Sequence, residues 1–186
     1  MNYWIFTAAS HKEKSESLTA KQVFERRMQD HFWGLGENTK NRKNVRKGDL
    51  VVFYRATPEQ SFVGTAHLAS DSFELKAEEQ ATLSHDSPFF TSKYGVWLDA
   101  IEVWQKPRSM AGLASILKFV KNPTQWGSHL QGGIRQVEES DFAVITSGST
   151  PLKPSTPSVE ELEAQSLFAL ESHLEEFIEH NWSKVS

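Results

Sequence analysis

Trp33 stands between His31-Phe32 and Gly34-Leu35-Gly36. A tryptophan flanked by glycines, outside any apolar periodic run, can turn its ring face to a flat ligand. Stacking one nucleobase on such a ring is worth roughly 1–3 kcal/mol. The competing reading is a ring that plugs the core. Asn38 lies close behind and carries both a donor and an acceptor, which suits the edge of a base. The backbone N–H groups of Gly34 to Gly36 offer further donors. Lys40, Arg42, Lys43, Arg46 and Lys47 then place five cations in eight residues with no acid among them. Phosphates bind such a run and displace its counterions, although a plain solvated loop has the same look. Phe89, Phe90 and Tyr94 fall in a polar stretch, where one ring would close the second side of a cage and the others anchor packing. Gly132 and Gly133 precede Arg135, so the backbone there can approach a phosphate closely or simply turn.

Other chemistries find little support. There is no Gly-x-Ser-x-Gly, Gly-x-x-x-x-Gly-Lys, His-Glu-x-x-His or Gly-x-Gly-x-x-Gly in the chain. The histidines at 11, 31, 67, 85, 129, 173 and 180 show no metal-ligand spacing. Asp99 and Glu102 share one β-rich run, as a metal-dependent nuclease would want, but position 104, where a lysine would stand, is tryptophan. No catalytic residue, metal or cofactor is expected.

The elements that must position these groups follow from pattern. Residues 2–8 alternate bulky side chains and predict a buried strand. Residues 9–17 read as a polar loop. Thr19 and Gln22 form a capping box for a helix over about 19–30, with Val23, Phe24 and Met28 as its thin apolar side. Residues 33–48 read as a loop and Lys47-Gly48-Asp49 as a turn. Leu50–Arg55 and Phe62–Ser70 predict a hairpin joined at Thr57–Gln60. Residues 71–94 read as a long loop with a short helical piece. Val96–Trp104 predicts a strand, and Leu113, Ile116, Leu117 and Val120 recur at helical spacing. Gly133–Val137 and Glu139–Ile145 predict a last strand and a closing helix. Trp4, Trp97 and Trp104 lie on strands and read as core.

The chain has 186 residues and a net charge of −4, no cysteine and six tryptophans. The absence of cysteine excludes disulfides and thiolate chemistry and suits a cytoplasmic location. No apolar run is long enough for a membrane span. Residues 158–186 hold seven glutamates against one lysine, so residues 1–157 carry 19 basic and 17 acidic side chains. A mildly basic body permits nucleic-acid binding. Residues 147–158, rich in Ser, Thr and Pro, read as a flexible linker. Residues 159–186 read as an amphipathic helix.

Several motifs in order carry a resemblance: Tyr3-Trp4-Ile5-Phe6, Phe32-Trp33-Gly34-Leu35-Gly36, Lys47-Gly48-Asp49-Leu50-Val51-Val52-Phe53-Tyr54, Phe62-Val63-Gly64-Thr65-Ala66 and Val96-Trp97-Leu98-Asp99. Together with Ile134-Arg135-Gln136 and the stretch after it, they make residues 1–146 resemble the EVE domain. That family belongs to the PUA-like superfamily and is related to YTH domains. The resemblance implies an α+β fold, a twisted, nearly closed β-barrel of about five to six strands flanked by short helices. It implies a non-catalytic reader of nucleic acid, DNA rather than RNA, that flips a modified base, methylcytosine among the candidates, into an aromatic-lined pocket. It also implies service to a restriction or defence nuclease. Thr7-Ala8-Ala9 and Leu35-Gly36-Glu37-Asn38 stand where many members have Ser-Glu and Arg-Asn, so the preferred base does not carry over. The expected base pocket comprises Thr7, Ala8, Trp33, Gly34, Leu35, Asn38, Phe89, Phe90 and Tyr94. The expected nucleic-acid backbone contacts are Lys40, Arg42, Lys43, Arg46, Lys47, Gly132, Gly133 and Arg135. An RNA-modification reader and a protein- or small-molecule-binding domain stand as alternatives. The last helix resembles the opening helix of restriction-endonuclease-like domains, with a plain packing helix as the other reading.

Overall fold

A computed structural model describes residues 1–13, 16–131 and 133–147. The chain opens with β1 (Tyr3–Ala8), whose side chains alternate between two interiors. Trp4, Phe6 and Ala8 enter one apolar cluster and Ile5 enters the other. A small hairpin of β2 (His11–Glu13) and β3 (Glu16–Leu18) follows, where the pattern predicted only a loop. Next comes α1 (Ala20–Asp30). Its capping box forms as expected: Gln22 N–H donates to Thr19 Oγ1 at 3.1 Å, and Thr19 N–H to Gln22 Oε1 at 2.9 Å. Val23 and Phe24 point it into the first cluster.

The stretch predicted as a loop over 33–48 begins with a strand, β4 (Phe32–Leu35). Its glycine, the second one just beyond it and its brevity hid it, yet Trp33, Gly34 and Leu35 pair with Val96, Gly95 and Tyr94. A 3-10 turn at Arg42–Asn44 leads to the expected hairpin of β5 (Leu50–Arg55) and β6 (Ser61–Leu68). The segment predicted as a long loop holds β7 (Phe73–Glu74), α2 (Ala77–Ser84) and a 3-10 turn at Pro88–Phe90. A long strand, β8 (Tyr94–Ser109), follows. The helix expected around 113–120 shrinks to α3 (Met110–Leu113). Beyond it the Asp141 carboxylate accepts the Lys118 and Phe119 N–H groups at 2.9 and 3.1 Å, which diverts the backbone from helical bonding. A 3-10 turn at Trp126–Leu130, β9 (Ile134–Val137) and α4 (Glu139–Thr146) close the body.

The strands form one mixed sheet in the order β4-β8-β6-β5-β1-β9, with β7 added beside β8. β1 and β5 run parallel and the remaining pairs antiparallel. The sheet curls into a half-barrel with a few short helices, an α+β fold. Its concave side holds Phe6, Phe24, Trp33 and Phe53. Its convex side is covered by residues from Met110 to Leu130 and by α4, through Ile5, Tyr54, Phe62, Trp104 and Ile145. Arg108, near the end of β8, donates to the carbonyls of Val144, Ile145 and Ser147 at 2.6, 2.8 and 2.6 Å. Those are the C-terminal carbonyls of α4, which lack partners within the helix.

Asp49 secures the sheet where β5 begins beside β1. It is 2% exposed and accepts from Asn2 N–H at 2.9 Å, Trp4 Nε1 at 2.9 Å and Arg46 N–H at 3.0 Å. Burial pushes its carboxyl up, but these donors outweigh burial and hold it below the usual carboxylate value. One carboxylate thus ties together the N-terminus, a core tryptophan and the end of the basic loop. The expectations for the linker and for the C-terminal helix fall, Ser147 apart, outside the described residues.

Candidate nucleic-acid interface

Helical spacing brings Arg27 onto the apolar side of α1, four residues after Val23 and three after Phe24. Its guanidinium carbon lies 4.5 Å from the centroid of the Trp33 ring. It is also 5.9 Å from the ring centroids of both Phe89 and Phe90. Arg27 Nη1 donates to the Gly34 carbonyl at 3.2 Å, while Nε is sealed from solvent with no hydrogen-bond partner among the described residues. Burial lowers the Arg27 pKa to about 10, partly offset by Asp30. The group is therefore still cationic at neutral pH, held by aromatic faces and one carbonyl.

Trp33 itself is 2% exposed. Phe53 stacks on it at 5.3 Å with 21° between the planes, and Phe6 lies tilted at 5.4 Å. The open platform expected from the sequence is corrected here. Position 33 belongs to an inward-facing strand, and the guanidinium occupies the neighbouring slot. Gly34 is needed in this wall, because a Cβ there would sit 2.1 Å from Ser92 Oγ. The far wall is the Pro88–Phe90 turn. Phe89 and Phe90 meet edge to face at 5.0 Å, and His11 packs on Phe89 at 4.5 Å. His85 Nε2 lies 2.9 Å from Asp30 Oδ1, and the Ser87 hydroxyl donates to the Glu16 carboxylate. These contacts fasten the 85–90 segment across the end of α1.

The expected pocket residues divide. Ala8, Trp33 and Leu35 belong to one cluster, and Phe89, Phe90 and Tyr94 pack against it. Thr7 does not join them. Strand alternation turns it to the opposite side of β1, into a cavity of about 420 Å³ with Tyr54, Gln60, Leu130 and Gly133. Asn38 is exposed. The Gly36 N–H, one of the expected base-reading donors, is bound to Thr39 Oγ1 at 3.0 Å.

The cations divide as well. Lys40 and Arg135, far apart in sequence, line one polar cavity of about 360 Å³ with Asn41, Ser128, His129 and Gln131. Arg135 Nη1 donates to the His129 carbonyl at 3.0 Å. Lys43 and Lys47 are exposed, and Lys47 lines a separate shallow cavity. Arg42 stacks on Tyr94, its guanidinium carbon 3.6 Å from the ring centroid, so it supports the wall and is not extended toward a phosphate. Arg46 Nη1 is bound to the carbonyls of Lys43 and Val45 at 2.6 and 3.1 Å. Gly133 takes a left-handed φ of 85°, and its carbonyl accepts the Thr7 N–H at 2.8 Å. Gly132 lies outside the described residues. Asp99 and Glu102 are exposed on β8, and the Asp99 carboxylate accepts the Ala100 N–H at 2.7 Å. Arg27 and Asp49 were missed by sequence reasoning. A cation on the apolar stripe of an amphipathic helix was the available signal for Arg27.

The half-barrel thus carries Trp33, Phe89 and Phe90 gathered about the Arg27 guanidinium. The family described as EVE domain matches residues 2–148, and the chain belongs to that family. It is 24% identical to a UPF0310 protein of Pyrococcus abyssi over 159 residues, which are 79% of this chain and 99% of that protein. Its fold is similar to that of the human THYN1 protein in complex with 5-methylcytosine-containing DNA. The TM-score is 0.57 at 14% identity, covering 84% of this chain and 100% of that one. It is also similar to the DUF55 domain of human thymocyte nuclear protein 1, with a TM-score of 0.54 at 11% identity over 78% and 96% of the two chains. Among the described residues no helix is long and apolar enough to cross a membrane.

Proposed function

We propose that this chain binds nucleic acid carrying a modified base, DNA in preference to RNA, and that the flipped base takes the slot beside Trp33. The observation that carries this reading is Arg27. A flat group already sits 4.5 Å from the Trp33 centroid, between that ring and Phe89 and Phe90. A guanidinium and a base are both planar and both stack on aromatic faces. The side chain reaches its seat along a flexible stem, so a stronger stacker displaces it. Lys40 and Arg135, which line one polar cavity, and the exposed Lys43 suit the phosphates on either side of an extruded nucleotide. Family membership and a fold shared with a protein seen bound to 5-methylcytosine-containing DNA support the same reading. In this reading the chain binds without cleaving, and Asp99 and Glu102 are exposed strand acids with no catalytic part.

The test is a competition titration of the full chain against matched duplexes, plain or carrying 5-methylcytosine, 5-hydroxymethylcytosine or N6-methyladenine, with RNA counterparts alongside. The expected result is one modified DNA preferred at least tenfold, with Phe90→Ala reducing that preference more than it reduces plain binding. Equal affinity for every modified and plain strand overturns the reading.

A further inference from the structure

Among the described residues, three aromatic rings belong to neither interior. Phe32, Phe73 and Trp97 lie together on the outer face of the sheet near β4, β7 and β8. Phe73 and Trp97 stack with centroids 6.2 Å apart and 22° between planes. Phe32 meets Trp97 at 5.0 Å and Phe73 at 6.2 Å, edge-on to both. Strand register explains the grouping: Phe32 pairs with Trp97 across β4 and β8, so both side chains leave the sheet on one side. Trp33 and Val96, one residue along, leave it on the other.

The arrangement is built at some expense to the sheet. Gly95 sits under the Phe32 ring, and a Cβ there would lie 2.0 Å from that ring. Phe32 is thereby pressed flat, 5% exposed, as a support for Trp97. Trp97 remains 38% exposed, one of three large apolar side chains so exposed among the described residues. It lines a shallow cavity of about 500 Å³ with Phe73, Ser70, Asp71, Ala69 and Lys47. Lys47 closes the basic run, and its own N–H is fixed by Asp71 Oδ1 at 2.8 Å. Ser70 Oγ accepts the Trp97 N–H at 3.0 Å, which holds the strand beneath the ring. The basic loop thus begins at the Lys40 cavity and ends at this ring.

We propose that Trp97 is a second stacking platform, taking a base that flanks the flipped nucleotide, with Lys47 on the adjoining phosphate. This rests on the proposed nucleic-acid binding but not on the identity of the base in the Trp33 slot. A tryptophan supported edge-on, with a lysine at its rim, matches what a base and its phosphate need: one exposed π-face and one cation. A docked protein surface would call for a broader apolar patch, whereas here polar Ser70, Asp71 and Lys47 frame the stacked pair of Trp97 and Phe73.

The experiment compares the full chain with its Trp97→Ala and Trp97→Phe variants, each first shown folded by near-UV circular dichroism. Affinity is measured for a 12-mer deoxynucleotide carrying the preferred base and for the corresponding single nucleoside. Trp97→Ala is expected to lose roughly 5–150-fold on the oligonucleotide, the range that one stacked base represents. Trp97→Phe is expected to lose less, and neither to change nucleoside binding. A 5-iodouracil beside the modified base is expected to crosslink to Trp97. Unchanged oligonucleotide affinity in folded Trp97→Ala overturns the platform; a change of sedimentation coefficient accompanying it would make this face a protein contact. If no base is preferred over another yet Trp97→Ala still weakens oligonucleotide binding, the platform stands and the base-reading assignment falls.

Discussion

At the scale of single residues, Arg27 and Trp33 make opposite experimental targets. Trp33 is packed by Phe6, Phe53 and the Arg27 guanidinium. Its replacement by alanine empties the core and costs about 3–5 kcal/mol of stability, so a loss of binding there would say nothing of stacking. Arg27 is the informative position. While its guanidinium fills the slot, apparent affinity for a base falls with the fraction of molecules whose slot is open. Arg27→Ala is expected to remain folded and to be raised in melting temperature by the preferred nucleoside more than the unaltered chain is. Equal thermal shifts in the two proteins would show that the guanidinium does not occupy the ligand's seat. Asp49 gives a second residue-level outcome. Asp49→Asn turns one acceptor into a donor facing either the Asn2 N–H or both Trp4 Nε1 and the Arg46 N–H, and leaving a buried group unsatisfied costs about 1–3 kcal/mol. The native carboxyl is held below its unfolded value, so its contribution is present above that value and disappears as pH falls through it toward the folded pKa. Denaturant titrations are expected to show a loss in Asp49→Asn at neutral pH that narrows on acidification below about pH 4. A constant difference at all pH values would exclude this account.

Among the elements, those with a strong period were legible and those made by tertiary pairing were not. The alternation of Tyr3–Ala8, the capping box at Thr19 and the hairpin of β5 and β6 are local signals, and each formed where expected. β4 carries two aromatics, a glycine and a leucine, and becomes a strand only because β8 lies beside it. The apolar spacing of Leu113 to Val120 promised a helix, but Asp141 on α4 captured two of its N–H groups. Trp33, Phe89 and Phe90, picked out in the sequence, share the Arg27 guanidinium as a neighbour and do not touch as a closed cage. That shared neighbour was not legible, because nothing in the local pattern says where the head of a long cationic side chain will settle. The basic loop has the same duality: five cations can be counted in sequence, but their engagements cannot. Lys43 is exposed, with no side-chain partner recorded among the described residues, whereas Arg46 is bound to two carbonyls of its own loop. Lys43→Ala is therefore expected to weaken binding to all sequences and reduce the salt slope by about one. Arg46→Ala is expected to leave the slope nearly unchanged while loosening the loop. Titrations at several salt concentrations decide between the two, and a larger slope change for Arg46→Ala would reverse the assignment.

For the whole molecule, charge is divided along the chain more sharply than core. Among the described residues, the two apolar clusters draw on the chain from Tyr3 to Ile145. Residues 1–147 carry 18 basic and 17 acidic side chains, whereas 148–186 carry seven glutamates against Lys153 and Lys184. The body is thus +1 and the remainder −5, which gives the net −4. A strand of nucleic acid approaching the Lys40–Lys47 rim feels both. At low ionic strength the −5 charge of residues 148–186 lowers the net attraction of the whole chain for a phosphate strand. A chain ending at Ser147 is expected to fold with nearly unchanged stability and to associate with DNA several-fold faster at low ionic strength. At several hundred millimolar salt the difference is expected to vanish, because long-range terms are screened while the contacts that set dissociation are short-ranged. Stopped-flow association at two salt concentrations, with dissociation rates measured in parallel, separates the effects. A difference confined to dissociation and indifferent to salt would mean that residues 148–186 touch the bound strand or the site itself, and steering would be the wrong account of them.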